Sequence, residues 1–303
     1  MERERKFKVI LAPKLELAKE IKADYTVEAE YGDYCIEGNK LTLAHHGSRS
    51  GNPAPCNTQI DEKFDGGTIL ISHIDLDTIG GIMAIEGIKP EYPEFWKAAE
   101  YIDINGPHHI NEIDSEISKK IDIYEYLSIQ NRKKILPERD NVSDVTEIIN
   151  GYIKNVYLSI DEKNPEYPKM QEETEKYFID KKNEIERKLT IENKLYRVFE
   201  TDGLFCNAAY YSEKNKNVVP VIIAYNSKFK SITLSFEDGG KEHDACAIMQ
   251  HLFGKDAGGH PGIAGTPRGK EYEPADMYPI MAEIDRIMSP KINKEKEFYA
   301  YER

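Results

Sequence analysis

Cysteine is scarce. There are four in 303 residues, Cys35, Cys56, Cys206 and Cys246, and no two form a CxxC pair. That spacing argues against a disulfide framework and fits a reducing compartment, so a cytoplasmic location is expected. Long apolar runs are missing as well. None approaches the roughly 18–20 residues needed to span a bilayer, so no membrane association is expected. The charged start, Met1 to Lys6, has no apolar stretch behind it, so no secretory signal is expected. Basic charge is in deficit: 41 Lys and Arg stand against 54 Asp and Glu, a net charge of −13. A chain of that sign repels long duplex nucleic acid, which needs a basic footprint. A small anionic substrate held by metal ions and a few local cations stays compatible. P-loop and dinucleotide-binding fingerprints are absent, and there is no internal repeat.

What is present is a globular chain with 40% hydrophobic and 31% charged residues, long enough for two domains. Residues 7–13 read as a strand. From Tyr25 to Ala44 apolar and polar residues alternate around Gly32 and Gly38, which reads as a β-hairpin. A polar loop, His45 to Cys56, follows. Thr68 to Ser72 reads as a buried strand, Ile79 to Ile88 as the helix after it, and Pro93 to Ile102 as another helix. A strand ending at Asp103 is the alternative for that last stretch. Residues 110–160 carry helical periodicity. A linker-like segment at 161–168 precedes a highly charged helix over 169–193, most simply a solvated face. From Tyr196 the texture turns to strands: 205–211, 218–225 and 231–236. Helices over 243–253 and 277–288 complete the pattern. The expected division is residues 1–165, a connecting helix over 166–194, and residues 195–303.

The densest chemistry is His73-x-Asp75-x-Asp77, directly after an apolar strand and before Gly80 and Gly81. Ligands of α/β sheets gather beyond the carboxyl ends of strands. An imidazole and two carboxylates at strict alternation suit Mn²⁺ or Mg²⁺. A turn with Asp caps is the plain alternative. Two such ions activate water and hold phosphoryl oxygens. Asp103, His108 and His109 form a second carboxylate-imidazole cluster, the other half a two-ion site needs. A helix end favouring His is the alternative there. His45 and His46, with Ser48, Arg49 and Ser50, form a third, and Arg49 could clamp a phosphate. Gly258, Gly259 and His260, in the segment to Gly265, read as a loop whose N–H groups cradle an anion. Arg268 and Lys270 supply local positive charge. The spacing of His243, Cys246, His251 and His260 fits no zinc pattern. Cys246 reads as core, and Trp96 and the tyrosines as packing.

Two of these motifs occur in a familiar order. Ser72 to Gly81 resembles the first motif of the DHH phosphoesterase superfamily, and Gly258 to Gly265 resembles the GGH loop of the DHHA1 domain that follows it in those proteins. The resemblance covers roughly residues 66–110 and 195–270. It implies an α/β fold: a mostly parallel sheet with flanking helices, a connecting helix, and a smaller C-terminal α/β domain. It implies two Mn²⁺ or Mg²⁺ ions and hydrolysis of a phosphoester or phosphoanhydride. His73, Asp75 and Asp77 match its metal motif; Gly258, Gly259 and His260 match its substrate loop. The Asp-His-His triplet of the family is absent as such. Asp103, His108 and His109 stand nearest to it as ligands and catalytic groups. The separate middle aspartate motif is not evident, and the 25–44 and His45–His46 segments lie outside the pattern.

The expected function is therefore a metal-dependent phosphohydrolase for a short oligonucleotide, nucleotide or polyphosphate. A homodimer is among the states left open. A non-enzymatic nucleotide-binding sensor with a degenerate metal site is the alternative, kept alive by the missing triplet. Editing of aminoacyl-tRNA is a third reading, disfavoured by the −13 charge.

Overall fold

The chain is described by a computed structural model that covers residues 6–32, 34–46, 49, 51–132, 141–201, 207–212 and 214–300. The side chains at 107, 108, 111, 132, 207, 208 and 289–300 lie outside that description. The molecule is a mixed α/β protein of two compact units, residues 1–104 with 109–180 and residues 105–108 with 181–303. Among the described residues no helix is long and apolar enough to cross a membrane.

The first unit contains, in order, β1 (Phe7–Leu11), α1 (Leu15–Ala18), β2 (Tyr25–Val27), β3 (Glu30–Tyr31), β4 (Tyr34–Cys35), β5 (Leu41–Leu43), β6 (Gly67–Ile71), α2 (Leu76–Ile85), α3 (Pro93–Asn105), α4 (Ser115–Arg132), β7 (Ser143–Asp144), α5 (Thr146–Ile160) and the part of α6 (Tyr167–Lys188) up to residue 180. Its sheet runs β5-β2-β6-β1-β7. The first four strands are parallel, and β7 closes the edge antiparallel to β1. Alternation along the strands divides the apolar residues between two faces. Val9, Leu11, Ile69 and Ile71 join the large core under α2 to α5, whereas Ile10 and Leu70 pack with Ala18 and Ala23 on the α1 side.

This arrangement corrects the hairpin expected over 25–44. β2 and β5 pair in parallel, Tyr25 opposite Leu41 and Val27 opposite Leu43, and β2 also pairs with β6. Within 25–44 the antiparallel pair is β3 with β4, a small excursion between two members of the main sheet. Alternating composition suits a half-buried hairpin and a short sheet strand alike. The long-range pairing with β6 decided the outcome. The helix expected from Ile79 starts earlier, at Leu76, because Asp75 caps it by accepting from Thr78 N at 2.8 Å. Asp103 lies within α3, so the strand alternative for that stretch is wrong.

The second unit contains β8 (Leu189–Glu192), β9 (Tyr196–Thr201), β10 (Tyr211–Ser212), β11 (Asn217–Val218), β12 (Val221–Asn226), β13 (Ser231–Phe236), α7 (Ala245–Phe253), β14 (Gly258–His260), β15 (Ile263–Gly265) and α8 (Met277–Ala300). The main sheet here runs β14-β15-β13-β12-β9-β8. Only β9 and β12 pair in parallel. The stretch expected as a strand over 218–225 is split at Pro220, which has no N–H for a ladder. Of the strand expected over 205–211, residues 207–210 form a 3-10 turn, while 205 and 206 lie outside the described residues. The glycine-rich segment is also corrected. It is a β-hairpin, not an irregular loop, with Gly258 opposite Gly265 and His260 opposite Ile263. Gly259 has φ +143°, and a Cβ there would meet the Ile263 carbonyl oxygen at 2.4 Å.

Candidate metal centre

Three adjacent parallel strands end on one side of the first sheet, and each delivers functional side chains just beyond its end. β2 leads to Glu28, β5 to His45 and His46, and β6 to Ser72 and His73. α2 begins at the same edge and carries Asp77, with Asp75 as its cap; α3 brings Asp103.

Glu28 sits at the middle of the cluster and is fully buried. Its φ of +52° lies in the left-handed region. A non-glycine residue there costs on the order of 1–3 kcal/mol, and such strain concentrates at functional sites. The ladder still reaches it, since its N–H donates to Leu43 O at 2.9 Å. Glu28 Oε1 lies 3.0 Å from His45 Nε2 and 3.1 Å from His46 Nε2. Its other oxygen, Oε2, lies 3.1 Å from His73 Nε2. Each oxygen therefore faces a different set. In the first, His45 Nε2 is also 3.1 Å from Asp77 Oδ2 and 3.2 Å from Asp103 Oδ2. In the second, His73 Nε2 is 2.7 Å from Asp75 Oδ2.

A single imidazole proton does not account for this packing. One imidazole nitrogen carries at most one proton and cannot donate to three carboxylates. Glu28 Oε1, Glu28 Oε2 and Asp77 Oδ2 are buried, and no hydrogen bond of acceptable geometry reaches them. Separations of 3.0–3.2 Å around His45 match the edge of an octahedral shell, about 3.0 Å when the ligand bonds are about 2.1 Å. The Ser72 hydroxyl adds an independent sign. It donates its single proton to the Glu28 carbonyl, so it accepts from His73 Nδ1 at 2.8 Å. In the neutral ring the lone pair then sits on Nε2, facing two carboxylate oxygens. A cation between them satisfies all three groups. The donor set of imidazole and carboxylate oxygen fits such an ion.

Both aspartates are half committed. Asp75 Oδ1 accepts from Thr78 N at 2.8 Å, and Asp77 Oδ1 accepts from Cys56 N at 2.7 Å, which leaves each Oδ2 for the cluster. Cap and ligand are thus compatible roles for Asp75. The two sets differ in exposure. The His45 and Asp77 side chains are 1% exposed, His73 and Asp75 25% and 35%. The cluster also draws positive charge inward. Burial works against a charged His45, but Asp103, Asp77 and Glu28 raise its pKa above the ordinary imidazole range. Burial, then the Glu28 charge, pushes Asp77 up to about 8. Burial disfavours the ionised Glu28, and the adjoining His46, His45 and His73 hold it well below the usual carboxylate range.

The expected residues fall as follows. His73, Asp75, Asp77 and Asp103 come together with His45 and His46. His109 is buried, with Nδ1 2.8 Å from Glu112 Oε1 and its ring edge-on to Tyr101. The His108 side chain, Ser48 and Ser50 lie outside the described residues. Arg49 pairs with Glu37 at 3.2 Å. Gly258, Gly259 and His260 form β14 of the second unit, where Arg268 is exposed. Sequence reasoning missed Glu28. The usable signal was a carboxylate immediately after a strand, hidden once that strand was read as half of a hairpin.

No family model matches the chain, and no curated protein matches it. A solved structure of an uncharacterized protein from Helicobacter pylori G27 is similar at 12% identity, covering 85% of this chain and 76% of that one. Its TM-score of 0.20 carries no argument about fold or function.

Proposed function

We propose that the chain is a metal-dependent phosphohydrolase acting on a small phosphorylated substrate, such as a short oligonucleotide, a nucleotide or a polyphosphate. The observation that carries this reading is Glu28, whose two oxygens face two separate sets of imidazole and carboxylate ligands. That is the disposition of a carboxylate shared between two cations. Glu28, His45, Asp77 and Asp103 would hold one, and Glu28, His73 and Asp75 the other, with Mn²⁺ or Mg²⁺ the fitting ions. The reaction class comes from the resemblance of Ser72–Gly81 and Gly258–Gly265 to the DHH and DHHA1 motifs.

When bound, paired divalent cations acidify water and neutralise phosphoryl oxygens. The protein's share is charge and placement. Four carboxylates, Glu28, Asp75, Asp77 and Asp103, balance the charge of two divalent ions. The more exposed His73 and Asp75 mark the side from which a substrate approaches. Hydrolysis joins a water oxygen to phosphorus, breaks the bond to the leaving oxygen, and moves one water proton to that oxygen. Arg49, on the loop that follows His46, is a cation of this unit suited to a phosphate.

The test uses the purified chain dialysed against Mn²⁺ and then metal-free buffer. About two Mn²⁺ per chain are expected, with hydrolysis of the dinucleotide pApA. Glu28→Gln should lose bound metal and at least about 100-fold in rate. Turnover that survives the double substitution Asp75→Ala, Asp77→Ala overturns the reading. Stabilisation by nucleotide without turnover supports the sensor alternative instead.

A further inference from the structure

We propose that Glu30 is a positioning residue for the His45 half of the centre, holding through its two carboxylate oxygens the consecutive peptide N–H groups of His45 and His46. The inference rests on the reading of the cluster as a two-ion site.

Glu30 opens β3, two residues after Glu28, and is 8% exposed. Its Oε2 accepts from His45 N at 3.3 Å and its Oε1 from His46 N at 3.0 Å. The carboxylate thus spans one peptide step. The segment that carries it is itself pinned. Glu30 pairs with Cys35 and Tyr31 with Tyr34, Ile36 N donates to Ala29 O at 2.9 Å, and Tyr31 Oη donates to Ala12 O at 2.6 Å. On the other side the loop after β5 occupies its own carbonyls. Arg49 N donates to His46 O at 3.0 Å and Asn52 Nδ2 to Ala44 O at 2.9 Å. Glu30 takes the two N–H groups that remain between those carbonyls. Glu28 meets the same two residues from the ring side, at 3.0 and 3.1 Å. The two rings are neighbours, with centroids 4.6 Å apart and planes tilted by 39°. Fixing the peptide fixes where both imidazoles point.

The β3–β4 excursion gains a purpose from this. It interrupts the passage from β2 to β5 and returns a buried carboxylate to the loop beyond β5. In the other half, Ser72 sets His73 and Thr78 N holds Asp75. The two halves are therefore separable. The chemistry also restricts the side chain. Two adjacent N–H donors need two acceptor oxygens. Glutamine has the same shape but offers one acceptor, and its NH₂ group would confront the second donor. Packing alone would tolerate Gln; paired acceptance does not.

The deciding experiment titrates Mn²⁺ into the full chain by calorimetry, with wild type, Glu30→Gln and Asp75→Asn compared. Wild type should show about two sites. Glu30→Gln should keep one unchanged and weaken the other about 10–100-fold, as loss of a residue that orients a ligand does. Asp75→Asn should weaken the opposite site. Two unaltered sites in Glu30→Gln overturn this proposal and leave the metal centre intact; no Mn²⁺ binding by wild type overturns both. Amide hydrogen exchange on wild type keeps the question open should Glu30→Gln not fold. The His45 and His46 amides should be protected, and exchange at the rate of free loop amides would overturn the assignment.

Discussion

Asp77 serves two neighbours at once, and Gly80 makes that possible. Asp77 Oδ1 accepts from the Cys56 amide, so the turn at Pro55–Asn57 must lie against α2. A Cβ at residue 80 would stand 2.4 Å from Cys56 Cβ and 2.6 Å from its Cα, and one at residue 81 would stand 2.8 Å from Pro55 Cβ. Glycine inside a helix costs about 1 kcal/mol relative to alanine, and here the close approach requires it. Gly80→Ala should therefore destabilise, by about 1–3 kcal/mol as overpacked cores do. It should also weaken Mn²⁺ binding, because the displaced turn carries the donor to Asp77. Urea melts with and without Mn²⁺ measure both effects; an Ala variant as stable and as tight-binding as wild type would refute the coupling. At this scale the sequence was informative where ligand types crowd together. His73, Asp75 and Asp77 stand at alternate positions after an apolar strand, and the spacing alone brought them forward. Glu28 was hidden because a single Glu in an alternating stretch reads as the polar face of a strand. Its significance lies in a backbone φ and in the imidazoles of His45, His46 and His73, distant in the chain, which no local pattern encodes.

Elements were legible where the pattern had one physical solution. β6 is apolar and β-branched, α2 follows it, and α7 is framed by Asp244 and Gly254, so their types were readable from caps and periodicity. The pairing of short strands was not. β2 and β5 have three residues each, and their partners are chosen by the sheet. Within α4, periodicity also conceals a cost. Asp122 stands between the buried Ile121 and Ile123. Burial, aided by the Glu125 charge, raises its pKa from 3.8 to about 7. The folded protein thus binds this proton more tightly than the unfolded chain does. Raising the pH from about 4 to 7 therefore removes stability, and the full cost is present above 7. Asp122→Asn should stabilise at pH 8 by about 1–3 kcal/mol, with the gain shrinking steadily as pH falls from 7 towards 4. Denaturant melts at pH 8 and pH 5 test the sign; equal gains at both values would show that the ionisation is not responsible.

For the whole molecule, the proposed two-ion reading of the cluster predicts that stability depends on metal. All its ligands lie in the unit that also holds Trp96, the single tryptophan of the chain. Trp96 is 2% exposed, packs edge-on against Phe95 with centroids 5.0 Å apart, and shares its core with α2. Its fluorescence is therefore a reporter of that unit. A ligand that binds only the folded state stabilises it by RT ln(1 + [L]/Kd), about 2.7 kcal/mol at a hundred times Kd. For a unit of this size each kcal/mol moves the midpoint by about 2–4 °C. The Trp96 transition should rise by about 5–10 °C when Mn²⁺ is added to chelator-treated protein. Amide exchange along β12, in the unit that holds none of these ligands, reads whether the stabilisation is local. Slowing at β6 and α2 without comparable slowing at β12 is the expected outcome. A Trp96 midpoint that ignores Mn²⁺ would mean that Glu28, the histidines and the aspartates share their protons without a cation, and the metal centre would fall.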